Sequence, residues 1–518
     1  MTKRRVLVHR DQPTFPPSDA VLLPRRGFLA AAGAVAASAA MPASAVAAAA
    51  GGSPGNRYRL QKRFVDWRFG MFLHFNMGTF HDQEWVGPNQ DPMSFNPTDL
   101  DCGQWADAAV AAGMRFAVLT AKHHDGFCLW PSRYTDYDVM SSGYRHDVVR
   151  EYVDAFRARG VTPCLYFSIW DRTNGVGPPV WDEQAPIDLD LVKGQLTELL
   201  TRYGRIPLLI FDGWAWHPRL GHQVIPFGEI RAHVAALQPD CLVLDLNGLS
   251  EPWDSDLLFI EEPKGGVFCP ADNTYAASQG QTISPAGWFW HPATPTAVLT
   301  PEQIVDGHLA VLEPRYCTFI LNCPPNPRGL LDASVVETLR QVGARWSPDR
   351  TRPPLPAQPD QLRYPVTPVS ATATSGDAGR AVDGHSDFGW NGQADQTLWQ
   401  AAGPLPPAVT LDLGRAHAGI DTLTYLPRQD TVTPYAYDHL TDGNITRFVV
   451  EASVDGRRFH EVARGSWAPD NTLKRARFHA PAVRYLRLTA RSTVGNVPAT
   501  VSEIGCGGTN TRPRLIGR

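Results

Sequence analysis

Asp212 is the residue best placed for chemistry. It ends the run Leu208-Leu209-Ile210-Phe211-Asp212-Gly213-Trp214, so a carboxylate stands at the tip of an apolar strand, with Trp214 and Trp216 just beyond it. An aspartate at such a point can also cap a helix. A carboxylate walled by aromatic rings, however, suits attack on the anomeric carbon of a sugar. Glycoside hydrolysis with retention needs a second carboxyl group about 5 to 5.5 Å away, which protonates the leaving oxygen and later deprotonates water. Glu261 and Glu262 end another apolar run and are the candidates for it, with Glu251 as a third. Neighbouring strand residues face opposite sides, so one of the pair serves the site and the other is free to meet Lys264. The acid must keep its proton, which partial burial or a nearby carboxylate provides.

His74, His123, His124 and Asp125 form the next constellation. Three ligands of this kind could hold a metal, but adjacent histidines on a strand point to different sides, which makes shared coordination awkward. Hydrogen bonding to several hydroxyls of a small polar ring is the other use. Trp85, Trp170, Trp288 and Trp290 could then stack on the ring's apolar face.

These residues need a frame. From about 60 to 346, short apolar runs alternate with amphipathic stretches. The runs are 69–75, 116–124, 163–170, 207–214, 241–248, 256–263 and 317–325, with a weaker one at GWFWH, 287–291. Helical stretches are expected at 99–112, 146–159, 188–203, 228–237, 301–312 and 333–342. Strands alternating with helices imply parallel pairing. Eight strands fit a (β/α)8 barrel, where chemistry sits at the strand ends. The candidate residues cluster there, together with Asp171, Asp245, Asn247 and Asn322. A doubly wound sheet fits the alternation too, but no Gly-rich phosphate turn follows the first run.

The barrel is assigned to 55–348 and a Pro-rich linker to 349–364. Beyond it, alternating runs such as 409–414, 447–456 and 483–490 indicate an all-β sandwich over 365–508, followed by a tail, 509–518. Residues 1–47 carry Arg25-Arg26 before Phe28-Leu29, an alanine-rich apolar stretch and small residues at 43–47. This is the pattern of a twin-arginine signal peptide, so a secreted protein is expected. The stretch is broken by Pro42, and no later run reaches the roughly 20 apolar residues of a stable membrane anchor. Lys and Arg number 48 against 52 acidic residues, a net charge of −4, which disfavours a nucleic-acid partner. The eight cysteines are sparse and lack a C-x-x-C pair. Cys164, Cys241 and Cys317 are expected as buried free thiols, and a Cys317–Cys323 bridge would require the chain to turn back on itself.

Trp67 to His74, the run Lys122-His123-His124-Asp125-Gly126-Phe127 with Leu129-Trp130-Pro131 after it, and Phe211-Asp212-Gly213 together resemble the α-L-fucosidases of glycoside hydrolase family 29. The resemblance covers about 60–346. It implies a (β/α)8-like barrel and retention of configuration with no cofactor and no metal in catalysis. It places the nucleophile on Asp212 and the fucose-binding histidines on His74, His123 and His124. Trp85 and Tyr166 match two further residues of the family's pocket. Ile210 stands where some members have tryptophan, and the acid/base does not transfer by motif. The C-terminal part, with Ala381-Val382-Asp383-Gly384, Trp390, Trp399 and 409–414, resembles a discoidin (factor 5/8 type C) domain, a fold shared by family 32 carbohydrate-binding modules. Its members often hold a structural calcium beside such an Asp-Gly turn, which points to Asp383.

The expectation is therefore an exported retaining exo-α-L-fucosidase acting on fucosylated oligosaccharides or glycans. Asp212 is its nucleophile and Glu261 or Glu262 its acid/base. His74, Trp85, His123, His124, Tyr166, Trp214 and Trp290 bind substrate. A non-catalytic fucose-binding protein and a metal-dependent hydrolase using His74, His123 and Asp125 are the competing readings.

Overall fold

The computed structural model describes residues 54–176, 188–213, 227–245, 256–261, 269, 271, 273–356, 364–383, 398–428, 440–469, 473–509 and 512–516. At 54–56, 227–228, 245 and 261 only the backbone is described. The signal-like segment 1–47, Trp214, Asn247, Glu251, Glu262, Trp390 and linker residues 357–363 lie outside the described residues.

The first half begins with helix α1 (Pro54–Trp67) and strand β1 (Phe69–Leu73). The short helix α2 (Met77–His81) follows, then α3 (Cys102–Ala111), β2 (Phe116–Lys122), α4 (Val148–Ala158) and β3 (Thr162–Ser168). After these come α5 (Leu189–Arg202), β4 (Leu208–Asp212), α6 (Phe227–Leu237), β5 (Leu242–Asp245), β6 (Leu258–Glu261), β7 (Ala277–Thr282), β8 (Cys317–Asn322) and α7 (Ala333–Arg345). The eight strands form one parallel sheet in the order β5-β4-β3-β2-β1-β8-β7-β6. A parallel bridge, Leu244 to Leu257, brings the two edge strands together and nearly closes the barrel.

The sequence explains the layers. Along α4, Val148, Val149, Tyr152, Val153 and Phe156 recur at helical spacing and are buried. Asp147 caps its start by accepting from the Arg150 amide at 2.9 Å. Asp101 and Asp188 cap α3 and α5 in the same way. Strand residues separate by parity. Met71, Leu119, Leu209, Phe211 and Leu321 pack in one core with the surrounding helices. Phe72, Val118, Tyr166, Ile210, Leu244, Phe259 and Ile320 pack in a second, which fills the barrel. Leu60, Phe64 and Val65 of α1 join that inner core, and Trp67 stacks on Phe116 with centroids 5.0 Å apart. Helix α1 thus plugs the end of the barrel where its strands begin.

Two sequence expectations are corrected. GWFWH is not a strand; the missing strand is β7, Ala-Ser-Gln-Gly-Gln-Thr. The second strand stops at Lys122 rather than running through 124, and its pairing with β3 shifts by one residue between Thr120 and Lys122. His123 and His124 therefore lie in a turn, where strand alternation no longer separates them.

The second half is antiparallel. Strands β9 (Tyr364–Val366), β10 (Ser370–Ala373), β11 (Trp399–Gln400), β12 (Ala408–Ala418) and β13 (Thr422–Leu426) come first. They are followed by β14 (Ile445–Ser453), β15 (His460–Ser466), β16 (Lys474–Arg477), β17 (Val483–Thr493), β18 (Thr500–Val501), β19 (Glu503–Gly508) and β20 (Arg514–Leu515). One sheet runs β10-β12-β17-β14-β15, with β20 also on β12, and another runs β16-β13-β19-β9. The stretch read as a tail thus supplies one short strand. Leu411, Leu423, Tyr425, Val450, Leu486, Leu488 and Ile504 share one core between the sheets. All eight cysteines are free and buried. Among the described residues, no helix is long and apolar enough to cross a membrane.

Candidate active site

Strand register gathers the site at the ends of β1 to β4 and β8. Ser168 of β3 pairs with Asp212 of β4, and Tyr166 pairs with Ile210 one step deeper. Asp212 keeps about 13% of its side chain exposed. Tyr166 donates its hydroxyl hydrogen to Asp212 Oδ2 at 2.8 Å. The Gly213 amide donates to Oδ1 at 2.7 Å, which its positive φ of 74° permits. Two donors, one on each oxygen, thus orient the carboxylate. His124 Nε2 lies 3.6 Å from Oδ2.

The histidines form one aromatic cluster. His123 and His124 have ring centroids 4.2 Å apart, and His123 stacks with Tyr166 at 5.8 Å. His74 sits 6.1 Å from His123 and 5.9 Å from Tyr166. Its Nδ1 is 2.8 Å from Asn322 Oδ1, at the end of β8. Burial pushes the His74 pKa down to about 3; the Asn322 contact opposes this and the nearby His124 adds to it. Trp288 and Phe289 pack on His74, with centroids at 5.0 and 5.3 Å, and Phe289 also meets His123 edge-on at 4.9 Å. On the other side Trp85 and Trp170 approach His124 at 5.9 and 5.1 Å. The result is an apolar wall with a few convergent polar groups, the general composition of a small-ligand pocket.

Of the residues singled out from sequence, the structure brings together Asp212, His74, His123, His124, Tyr166 and Trp85. Trp290 donates its indole N–H to Asp332 at 2.7 Å. Trp288 and Phe289 of the same loop stand against the histidines. Glu261 ends β6, paired with Gly280 of β7. Asp125 does not join the histidines as a ligand. Its carboxylate accepts from the Phe127 amide at 3.1 Å. Burial raises its pKa to about 7, the Phe127 amide opposing and Asp171 adding to the rise. Among the described residues no group of three or more His, Cys, Asp or Glu is placed to share a metal ion. Asp383 is the last residue before 384–397, which lie outside the described residues.

Sequence reading placed Asp171 and Asn322 at strand ends but did not show the supporting contacts. Lys122 Nζ donates to Asp171 Oδ2 at 3.0 Å and to Gln195 Oε1 at 2.9 Å, with Lys122 and Asp171 fully buried. This ties the end of β2 to the end of β3. Gly126 (φ 97°) faces Asp171 so closely that a Cβ there would lie 2.1 Å from Oδ1. Ser168 Oγ is 2.7 Å from His124 Nδ1. Strand parity could have found Ser168, two residues beyond Tyr166; Lys122 stood in the run that carries the resemblance, but nothing local marked it as a support.

The sequence model of a family described as "Alpha-L-fucosidase" matches residues 50–348, and that of the "F5/8 type C domain" matches 366–504. "Alpha-L-fucosidase 1" of Arabidopsis thaliana is 33% identical over 303 residues, covering 54% of this chain and 58% of the plant protein. "Alpha-L-fucosidase" of Dictyostelium discoideum is 25% identical over 287 residues, covering 51% and 58%. The chain spans about half the length of the curated relatives it matches. Among solved structures, "Alpha-L-fucosidase isoenzyme 1 from Paenibacillus thiaminolyticus" aligns over 84% of this chain and 100% of its own, with a TM-score of 0.49 and 24% identity.

Proposed function

The chain belongs to the α-L-fucosidase family, and from that premise we propose that it is an exported, retaining exo-α-L-fucosidase cleaving terminal fucose from oligosaccharides or glycans. In this reading Asp212 attacks C1 of the fucosyl ring. The C1–O bond to the aglycone breaks as a glutamic acid gives that oxygen its proton, leaving fucose esterified to Asp212. The glutamate then takes a proton from water, water oxygen attacks C1, and the ester bond opens to free Asp212. Glu261 is the better acid/base candidate of the pair, because it stands two residues after Phe259, which packs inside the barrel. His74, His123 and His124 meet the ring hydroxyls. Trp85, Trp288 and Phe289 meet its apolar face and methyl group. Export rests on the twin-arginine pattern in 1–47, and the F5/8 type C region is proposed to hold the enzyme near glycans and raise local substrate concentration.

The observation that carries the proposal is Asp212 at the tip of β4, oriented by Tyr166 and Gly213 beside the histidine cluster. The test is release of chromophore from an aryl α-L-fucoside, wild type beside Asp212→Asn, with and without chelator. Asp212→Asn should lose roughly 1,000-fold or more in kcat, and chelator should change nothing. Azide should rescue an Asp212→Gly variant through a fucosyl azide product. Wild type inert on aryl fucosides and on fucosylated oligosaccharides, yet binding fucose, would replace the enzyme reading with that of a fucose-binding protein. Loss of wild-type activity on chelation would favour a metal-dependent hydrolase.

A further inference from the structure

Two of the three histidines are wired alike. A backbone carbonyl can only accept, and Ser168 Oγ lies 2.7 Å from the carbonyl oxygen of Trp170. The one hydroxyl hydrogen of Ser168 is therefore spent on Trp170. The same Oγ lies 2.7 Å from His124 Nδ1, so it must accept there, and His124 must carry hydrogen on Nδ1. On the other side Asn322 Nδ2 donates to the carbonyl oxygen of Trp288 at 2.7 Å, which fixes which end of the amide is which. The end facing His74 Nδ1 is then the amide oxygen, an acceptor, so His74 also carries hydrogen on Nδ1. Ser168 and Asn322 are both fully buried behind the rings they support.

We propose that Ser168 and Asn322 are positioning residues that lock His124 and His74 in the Nδ1–H tautomer, each anchored to a tryptophan carbonyl, so that both rings present Nε2 as an acceptor for hydroxyl hydrogens of the substrate. The relay reads carbonyl oxygen, side-chain donor, side-chain acceptor, Nδ1–H, Nε2 lone pair. The site then selects ligands that donate. A hydroxyl fits, and a deoxy or O-alkylated position leaves a desolvated lone pair without its hydrogen. Burial keeps the His74 ring neutral, which preserves its lone pair. In this tautomer His124 Nε2 carries no hydrogen to give Asp212, 3.6 Å away. The identity of the donor as a fucose hydroxyl rests on the proposed function; the tautomers themselves do not.

The test uses the full chain labelled with nitrogen-15 histidine and long-range proton–nitrogen spectra at neutral pH, with His74→Gln and His124→Gln to assign the two rings. Both should show a protonated Nδ1 and a bare Nε2. Ser168→Ala should release His124 toward the Nε2–H form, Ser168→Thr should restore the wild-type spectrum, and Asn322→Ala should release His74. Kinetics add a second reading, on an aryl α-L-fucoside and its singly deoxygenated analogues. Ser168→Ala should lose roughly 10- to 100-fold in kcat/KM on the parent, and clearly less on the analogue lacking the hydroxyl that His124 accepts. Wild-type rings protonated at Nε2 would overturn the proposal, as would an equal loss on every analogue. If wild type cleaves no α-L-fucoside, the proposed function fails while the spectra still decide the tautomers.

Discussion

Burial pulls Asp125 and His74 in opposite directions, because it penalises the charged form of each. Asp125 titrates near 7 in the folded chain and about 4 when unfolded. Between those values the folded state holds a proton that the unfolded state has lost. Its contribution therefore falls as pH rises from about 4 to about 7 and is flat above. His74 titrates near 3 folded and about 6.5 unfolded. There the unfolded state binds a proton that the folded state refuses, so stability rises with pH from about 3 to about 6.5. Over the shared range the two slopes oppose each other. Asp125→Asn keeps an acceptor for the Phe127 amide and removes only the falling term. Its melting temperature should climb more steeply than that of wild type between about pH 4.5 and 6.5. Parallel melting curves across that range would show that Asp125 does not hold its proton to neutrality.

At the scale of elements, the end of β2 decides whether the histidines meet. The one-residue slip after Thr120 lets Lys122 lie over Phe167, 4.2 Å from its ring centre, and releases His123 and His124 into a turn facing the site. The buried Lys122–Asp171 pair holds that turn. Removing one partner strands the other charge, so Lys122→Met should cost about 3–5 kcal/mol in urea denaturation. Adding Asp171→Asn should recover part of that loss. A single-variant cost below about 1 kcal/mol would mean that the pair is dispensable. This slip also marks where the sequence stopped being legible. Seven strands and six helices announce themselves by apolar period. A bulge has no period, so the two histidines read as opposed when they are neighbours. Strand β7 was hidden for another reason: Ser278 donates to the Leu258 carbonyl, Gln279 accepts from the Cys269 amide, and Gly280 leaves room for the Phe259 ring. Its polar residues are satisfied inside, so the strand lacks an apolar face to recognise. The GWFWH run misled in reverse, because Trp288 and Phe289 pack on the histidines rather than in a sheet. Asp212 was legible because strand tip, glycine and apolar run coincide, whereas Ser168 and Asn322 act through partners that only the fold brings near.

At the scale of the whole molecule, the barrel cores and the sandwich core share no residue. Each buries enough large apolar side chains to fold as a cooperative unit, so calorimetry should resolve two transitions. Leu486 is fully buried in the sandwich core. Leu486→Ala should cost that transition about 2–5 kcal/mol and leave the barrel transition in place. The division also separates the two proposed roles. If the F5/8 type C region acts as proposed, raising local substrate concentration rather than touching the reacting bond, weakening it should not alter kcat/KM on a small soluble aryl fucoside. Hydrolysis of surface-immobilised fucosylated glycan should fall near the temperature at which the weakened sandwich melts, while the soluble substrate is still turned over. A parallel fall on both substrates would mean that the barrel depends on the sandwich for its own stability, and the tethering role would then have no support from this variant.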